Sequence, residues 1–207
     1  MPSHSPPCDI VVLGSLNMDL VMRLPRLPVP GTTTLGGVFA AHPGGKGANQ
    51  AIQAARLGAA TAIVGCVGDD DYGNELREVL LENGVDVEHL HTVPGTTSGI
   101  GLIAIDAATG ENMIAVASGA NLSVDAALAE RQSERLRRAK VLLMQSEIPI
   151  ETNLAAARIA HDAGVLVILN AAPAGDLPDD LLRRVDVLVV NEHEARELAH
   201  APARAPA

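Results

Sequence analysis

The residues best suited to chemistry lie in HPGGKGANQAIQAARLG, positions 42–58. Gly44, Gly45 and Gly47 let the backbone approach a ligand without side-chain obstruction, and a helix starting here aims its first N–H groups back at the same point. Lys46 adds a compact cationic donor, and Asn49 adds two donors and an acceptor. Such a loop suits a polyhydroxylated or phosphorylated ligand, and the same residues equally suit a flexible turn at a helix end. It is not a P-loop, which needs Ser or Thr after Gly-Lys and a glycine where this chain has Ala40. There is no GxGxxG dinucleotide fingerprint either. Lysine is scarce, since Lys46 and Lys140 are the only lysines among 15 basic residues, so the placement of one in a glycine loop stands out against chance.

The second cluster is GSLNMDL, residues 14–20, directly after a short apolar run. Open α/β sheets place ligand-binding loops there. Asn17 and Asp19 are two apart, so in extended backbone they share a face, and a carboxylate beside an amide can accept from and donate to sugar hydroxyls. Asx residues after a strand also make turns. Asp69, Asp70 and Asp71 precede a helical pattern and suit capping. His89 and His91 share a face at strand spacing but have no third metal ligand nearby. Cys8 and Cys66 form no CxxC pair, and Cys66 suits a small apolar position in TAIVGCVG.

The elements that must position these groups are legible in the apolar pattern. Runs at 9–14, 61–66, 140–145, 165–170 and 186–190 suit buried parallel strands. Between them, apolar residues three and four apart predict helices over 47–57, 72–82, 123–138, 151–163 and, briefly, 179–184. The alternation predicts an α/β fold, a parallel sheet flanked by helices. Segments 32–40 and 97–117 break the rhythm and suggest strands of a small β-layer, projecting as a lid or a dimerisation surface. Nothing after DVLVV suggests another strand to pair with it or a full helix to cover it, which leaves an exposed edge. One domain over 9–199, with disordered tails at 1–8 and 200–207, is the expected organisation.

Composition narrows the partners. The 207 residues, 21.4 kDa, are 47% hydrophobic with mean hydropathy +0.20, yet no apolar run approaches the roughly 18 residues a membrane helix needs. No basic segment followed by an apolar stretch marks a secretory signal, so a soluble cytoplasmic protein is expected. A net charge of −10, with no Trp, one Tyr and one Phe, gives neither the basic footprint nor the stacking surface of a nucleic-acid binder.

Taken in order, VVLGSLNMDL, PGGKGANQA, CVGDDDYG, GENMIAVASGAN, LLMQSEIP, LNAAPA and VNEHEA resemble the ribokinase family of carbohydrate kinases, also called the phosphofructokinase-B type, from residue 9 to about 199. The LLMQSEIP and GGKGANQA matches favour the ribokinase branch over fructokinase, nucleoside-kinase or hexose-phosphate-kinase branches. The resemblance implies ATP-dependent phosphorylation of a pentose, D-ribose first among candidates, at its terminal hydroxyl O5. It also implies Mg2+, a monovalent cation, and a homodimer formed through the lid.

The resemblance assigns Asn17 and Asp19 to sugar hydroxyls, with Gly45, Lys46, Gly47 and Asn49 completing the pocket. Glu147 becomes a further sugar contact, although a Glu after a strand is otherwise an ordinary surface residue. Asn191 becomes a nucleotide contact and Glu194 a magnesium-organising carboxylate, although alone they suit an N-cap and a first-turn acid. The family's DTxGAGD-type segment, whose last Asp is the general base, does not occur in these 207 residues. The expectation is therefore a truncated kinase, inactive by itself, with an inactive sugar-binding protein as the alternative.

Overall fold

The computed structural model describes residues 8–200. The expected tails lie outside the described residues, apart from Cys8, whose thiol donates to Ile10 O at 2.8 Å, and the backbone of His200. In chain order the first half contains β1 (Ile10–Leu13), β2 (Asn17–Leu24), β3 (Val38–Gly44), α1 (Lys46–Arg56), β4 (Thr61–Gly68), α2 (Asp71–Glu82), β5 (Asp86–Val93), β6 (Gly99–Asp106) and β7 (Asn112–Ala117). A 3-10 turn (Gly119–Ser123) leads to α3 (Ala126–Arg131), α4 (Ser133–Arg138), β8 (Val141–Gln145), α5 (Ile150–His161), β9 (Leu166–Asn170), α6 (Asp179–Leu182), β10 (Val187–Val189) and α7 (Glu192–His200).

The short β-branched runs form a six-stranded, all-parallel sheet in the order β10-β9-β8-β1-β4-β5. All eight residues of β4 are buried, as expected for a strand covered on both faces. On one face, Ala48 and Ala51 of α1 and Leu76 and Leu80 of α2 pack with Val12, Ile63 and Val67. On the other, Leu128, Leu136, Ala156 and Ala160 from α3, α4 and α5 pack with Val11, Leu13, Val64 and Leu142. From β1 the chain first moves outward through β4 and β5, then returns to the other side of β1 with β8. The sheet order therefore reverses between β1 and β8, where ligands bind in open α/β folds.

Segment 14–20 is more than a loop. Asn17 starts β2, which pairs antiparallel with β3 and parallel with β6, and β7 completes a second sheet of order β3-β2-β6-β7. Residues 32–37 hold no strand, because β3 begins only after Gly36 turns the chain at φ 88° and Gly37 packs against Leu24. The single helix expected over 123–138 is instead the end of the 3-10 turn and two short helices. Asp125 accepts from Leu128 N at 2.7 Å and starts α3, and α3 stops at Gln132 before α4 begins. DVLVV is followed by a nine-residue helix, α7, which does not cover it: β10 stays exposed on all three residues at the edge of the sheet. Among the described residues no helix is long and apolar enough to cross a membrane.

Candidate functional site

The carboxyl ends of β1 and β8 are adjacent in register, Leu13 beside Met144, so the loops that leave them, Gly14–Leu16 and Ser146–Pro149, meet. Helix α1 points its N-terminus into this junction. Gly45, at φ 89°, makes the turn into α1 and passes so close to β2 that a Cβ would lie 2.6 Å from Asn17 N. A Cβ on Gly47 would lie 2.7 Å from Ser15 N. The glycines thus serve close packing between two loops of the chain itself.

The first N–H groups of α1 are not free for a ligand, which corrects the expectation from the glycine loop. Lys46 N donates to Glu147 Oε2 at 3.2 Å, Gly47 N to Ser15 Oγ at 3.4 Å, and Ala48 N to Ser15 O at 3.0 Å. Ser15 Oγ in turn donates to the same Glu147 oxygen at 2.5 Å. Glu147 is thus an anion seated at a helix N-terminus, a position favoured by the helix dipole and by charge-assisted hydrogen bonds. Ser15, which the sequence reading passed over, is the residue that joins the two loops.

A cleft of about 260 Å³ opens at this junction, lined by residues that include Asn17, Asn121, Ser146 and Glu147 as polar groups and Val116, Leu122 and Ile148 as apolar ones. Asn17 and Glu147 therefore face one space. Asp19, Lys46 and Asn49 are not part of its lining. Asp19 lies one pleat further along β2, opposite His42 of β3 and Gly101 of β6. A Cβ on Gly44 or Gly101 would fall on its carboxylate, so both flanking strands leave room for it. Burial pushes the Asp19 carboxyl above the usual carboxylate range, the Glu147 charge adds to the shift, and His42 offsets part of it. Asp19 and Glu147 thus lie within electrostatic reach of each other. Lys46 is partly buried, with no carboxylate within 4 Å of its ammonium among the described residues, and Asn49 is exposed.

Asn191 and Glu194 lie elsewhere, at the start of α7. Asn191 N donates to Glu194 Oε2 at 2.7 Å, and Glu194 N donates to Asn191 Oδ1 at 2.8 Å, a reciprocal capping box. Asp70 caps α2 through Gly73 N at 2.8 Å and also accepts from Ser98 N at 2.8 Å and Ser98 Oγ at 2.6 Å, tying the start of β6 to the main sheet. Burial pushes its carboxyl up, but the hydrogen bonds from Ser98 and Gly73 outweigh that and hold it below the usual range. Burial pushes the Cys66 thiol up to about 11, so it stays an unreactive core group. His89 lies 3.7 Å from Glu88, and among the described residues no three His, Cys, Asp or Glu side chains are grouped to hold a metal.

The family description "pfkB family carbohydrate kinase" matches residues 8–207. The chain is 42% identical over 193 residues to the ribokinase of Schizosaccharomyces pombe, covering 90% of this chain and 60% of that protein. It is 42% identical over 187 residues to the ribokinase of Bacillus subtilis, covering 90% of this chain and 63% of that one. The solved structure of Arabidopsis thaliana ribokinase complexed with ribose and ATP superposes with a TM-score of 0.85 at 32% identity, over 96% of this chain and 64% of its own length. The chain thus spans about three fifths of the length of the curated relatives it matches.

Proposed function

From the chain's membership of the pfkB family of carbohydrate kinases, we propose that its cleft binds a pentose, D-ribose first, and that the chemistry of its lineage is phosphoryl transfer from ATP to O5 of that sugar. The observation that carries this reading is the meeting of a buried amide, Asn17, and an anchored carboxylate, Glu147, in one cleft at the sheet's reversal point. A second carboxylate, Asp19, is close enough for Glu147 to raise its pKa. Groups that accept, beside a group that donates, match the dual character of sugar hydroxyls.

In this reading Asn17, Asp19 and Glu147 bind hydroxyls. Gly45 and Gly47 let β2 and α1 close on each other, and Lys46 and Asn49, on the first turn of α1, would add donors to the sugar. Asn191 would contact the nucleotide and Glu194 would contact its magnesium. The capping box already occupies Glu194 Oε2 and Asn191 Oδ1, and one carboxylate does not make a protein-held magnesium site.

The test is calorimetric titration of the purified chain with D-ribose, fructose and adenosine. Saturable binding of ribose but not adenosine supports the reading, and the reverse order overturns the choice of sugar. Phosphoryl transfer to an alcohol needs a positioned base, and no DTxGAGD-type segment occurs in these 207 residues. A coupled ADP-release assay on this polypeptide alone is expected to stay at background, and ribose-dependent turnover would contradict that.

The second sheet also has apolar side chains in solvent, including Val38 at 71%, Phe39 at 59% and Ile114 at 60% exposure. We take a second copy of the chain as their cover, because surfaces of this kind are typical of interfaces. Sedimentation equilibrium is expected to show a dimer, and F39E to convert it to monomer. A wild-type monomer at tens of micromolar removes this partner.

A further inference from the structure

The strand β7 returns to the main body through the 3-10 turn, and Asn121 in that turn is 1% exposed. Its Oδ1 accepts from Leu16 N at 2.9 Å, and its Nδ2 donates to Leu16 O at 3.0 Å. A backbone N–H can only donate and a backbone carbonyl can only accept, so these two bonds fix which end of the Asn121 amide is which. The remaining hydrogen on Nδ2 points at Asn17 Oδ1, 2.8 Å away. Asn17 must therefore turn its oxygen inward. Its own Nδ2 has no protein partner among the described residues and is left to the cleft that Asn17 lines.

The surroundings are built for this contact. A Cβ on Gly99, the β6 residue opposite Asn17, would fall on both Asn17 Oδ1 and Asn121 Nδ2. The turn is held by Ala120 N, which donates to Thr97 O at 2.8 Å, and Gly119 adopts φ 51° to reach it. We propose that Asn121 is a positioning residue that fixes Asn17 as a hydrogen-bond donor toward the ligand. The ligand atom met by Asn17 must then be an acceptor, such as a hydroxyl or ether oxygen. Asp19, acceptor-only when ionised, sits two residues along the same face, so the pair presents one donor and one acceptor in a fixed order. The proposal rests on the sugar-binding reading and deepens it. It also makes the end of the second sheet part of the binding site, because Asn121 is carried by the turn that follows β7.

The test uses the whole chain, labelled with nitrogen-15, and D-ribose as the probe. In the wild type, ribose is expected to shift the Asn17 side-chain amide pair, assigned by its absence in N17D, and to leave the Asn121 pair in place. Asn121→Ala is expected to weaken ribose binding about tenfold, on the scale of one lost hydrogen bond. It should also broaden the Asn17 pair before any ribose is added, because the amide is then free to flip. An unshifted Asn17 pair under saturating ribose overturns the proposal, and so does an N121A chain that binds ribose as tightly as wild type. If N121A does not fold, the wild-type spectrum decides alone. If calorimetry shows that the wild type binds no ribose, the sugar reading itself fails and this inference falls with it.

Discussion

Two regions contain the residues that the family resemblance singles out, and they are built in opposite ways. At the β1–β8 junction each group is held by partners far along the chain: Ser15 and Glu147 are 132 residues apart, Lys46 and Glu147 101, and Asn17 and Asn121 104. At the start of α7, Asn191 and Glu194 bond each other across three residues, and Asn191 is exposed. The first arrangement exists only when the whole sheet is formed, so its polarity and spacing are set before a ligand arrives, and little ordering cost remains for binding. The second is a local capping box that any helix of this sequence could form. The junction is preorganised by tertiary structure, whereas the side-chain bonds between Asn191 and Glu194 are those of a local helix cap.

The largest effect that sharpens this contrast is expected from Glu147→Ala. It removes the acceptor shared by Ser15 Oγ and Lys46 N and leaves both donors at a part-buried site, which costs about 1–3 kcal/mol of stability. Ribose affinity is expected to fall by about 100-fold, the scale of a lost charge-assisted hydrogen bond. Urea unfolding and calorimetry read the two effects separately. A stable E147A protein with unchanged affinity would mean that the carboxylate is neither the anchor nor a ligand contact. Glu147→Gln, which keeps the shape and one acceptor, is expected to recover part of the stability.

A middle-sized effect, with a definite sign, belongs to Asp19. Its folded pKa is raised by burial and by Glu147, so between the ordinary carboxylate range and the raised value the folded state binds more protons than the unfolded one. Stability contributed by this group is therefore gained as pH falls through the folded value, and its ionised form works against folding at neutral pH. Asp19→Asn is expected to raise the thermal midpoint of the ligand-free chain at neutral pH and to remove that part of the gain on acidification. Ribose binding is expected to weaken about tenfold. A D19N chain less stable than wild type at pH 7 contradicts this and implies a stabilising partner for the carboxylate.

What the sequence disclosed follows the same division. Five of the six parallel strands were legible because runs such as IVVL and TAIVGCVG are locally apolar, whereas β5 (Asp86–Val93) was not, since DVEHLHTV mixes charged and polar residues into the strand. The capping of α2 and α7 was legible because Asp70 and Asn191 act on residues three positions away. Asn17 and Asp19 could be placed on one face from their spacing. The roles of Ser15 and Asn121 could not be read, since a serine after a strand and an asparagine before a helix look ordinary until residues about 100 positions away arrive beside them. For the same reason β2 was hidden inside a loop: its neighbours, β3 and β6, are known only once the second sheet is assembled. The glycine loop was singled out for close approach to a ligand, whereas the close approach seen is to Ser15 and Asn17 of the chain itself.

The smallest effect tests the other side of the contrast. Asn191→Ala removes the acceptor for Glu194 N and with it half of the capping box, at a cost of about 1 kcal/mol. Because α7 follows an exposed three-residue strand and its own residues are mostly exposed, that loss should remain local. Hydrogen exchange at the Glu194 and Ala195 amides is expected to quicken, while exchange at Leu16 and Lys46 and the affinity for ribose stay at wild-type values. A tenfold change in ribose affinity on N191A would show that the two regions share one cooperative unit, and the junction could then no longer be described as preorganised independently of the α7 end.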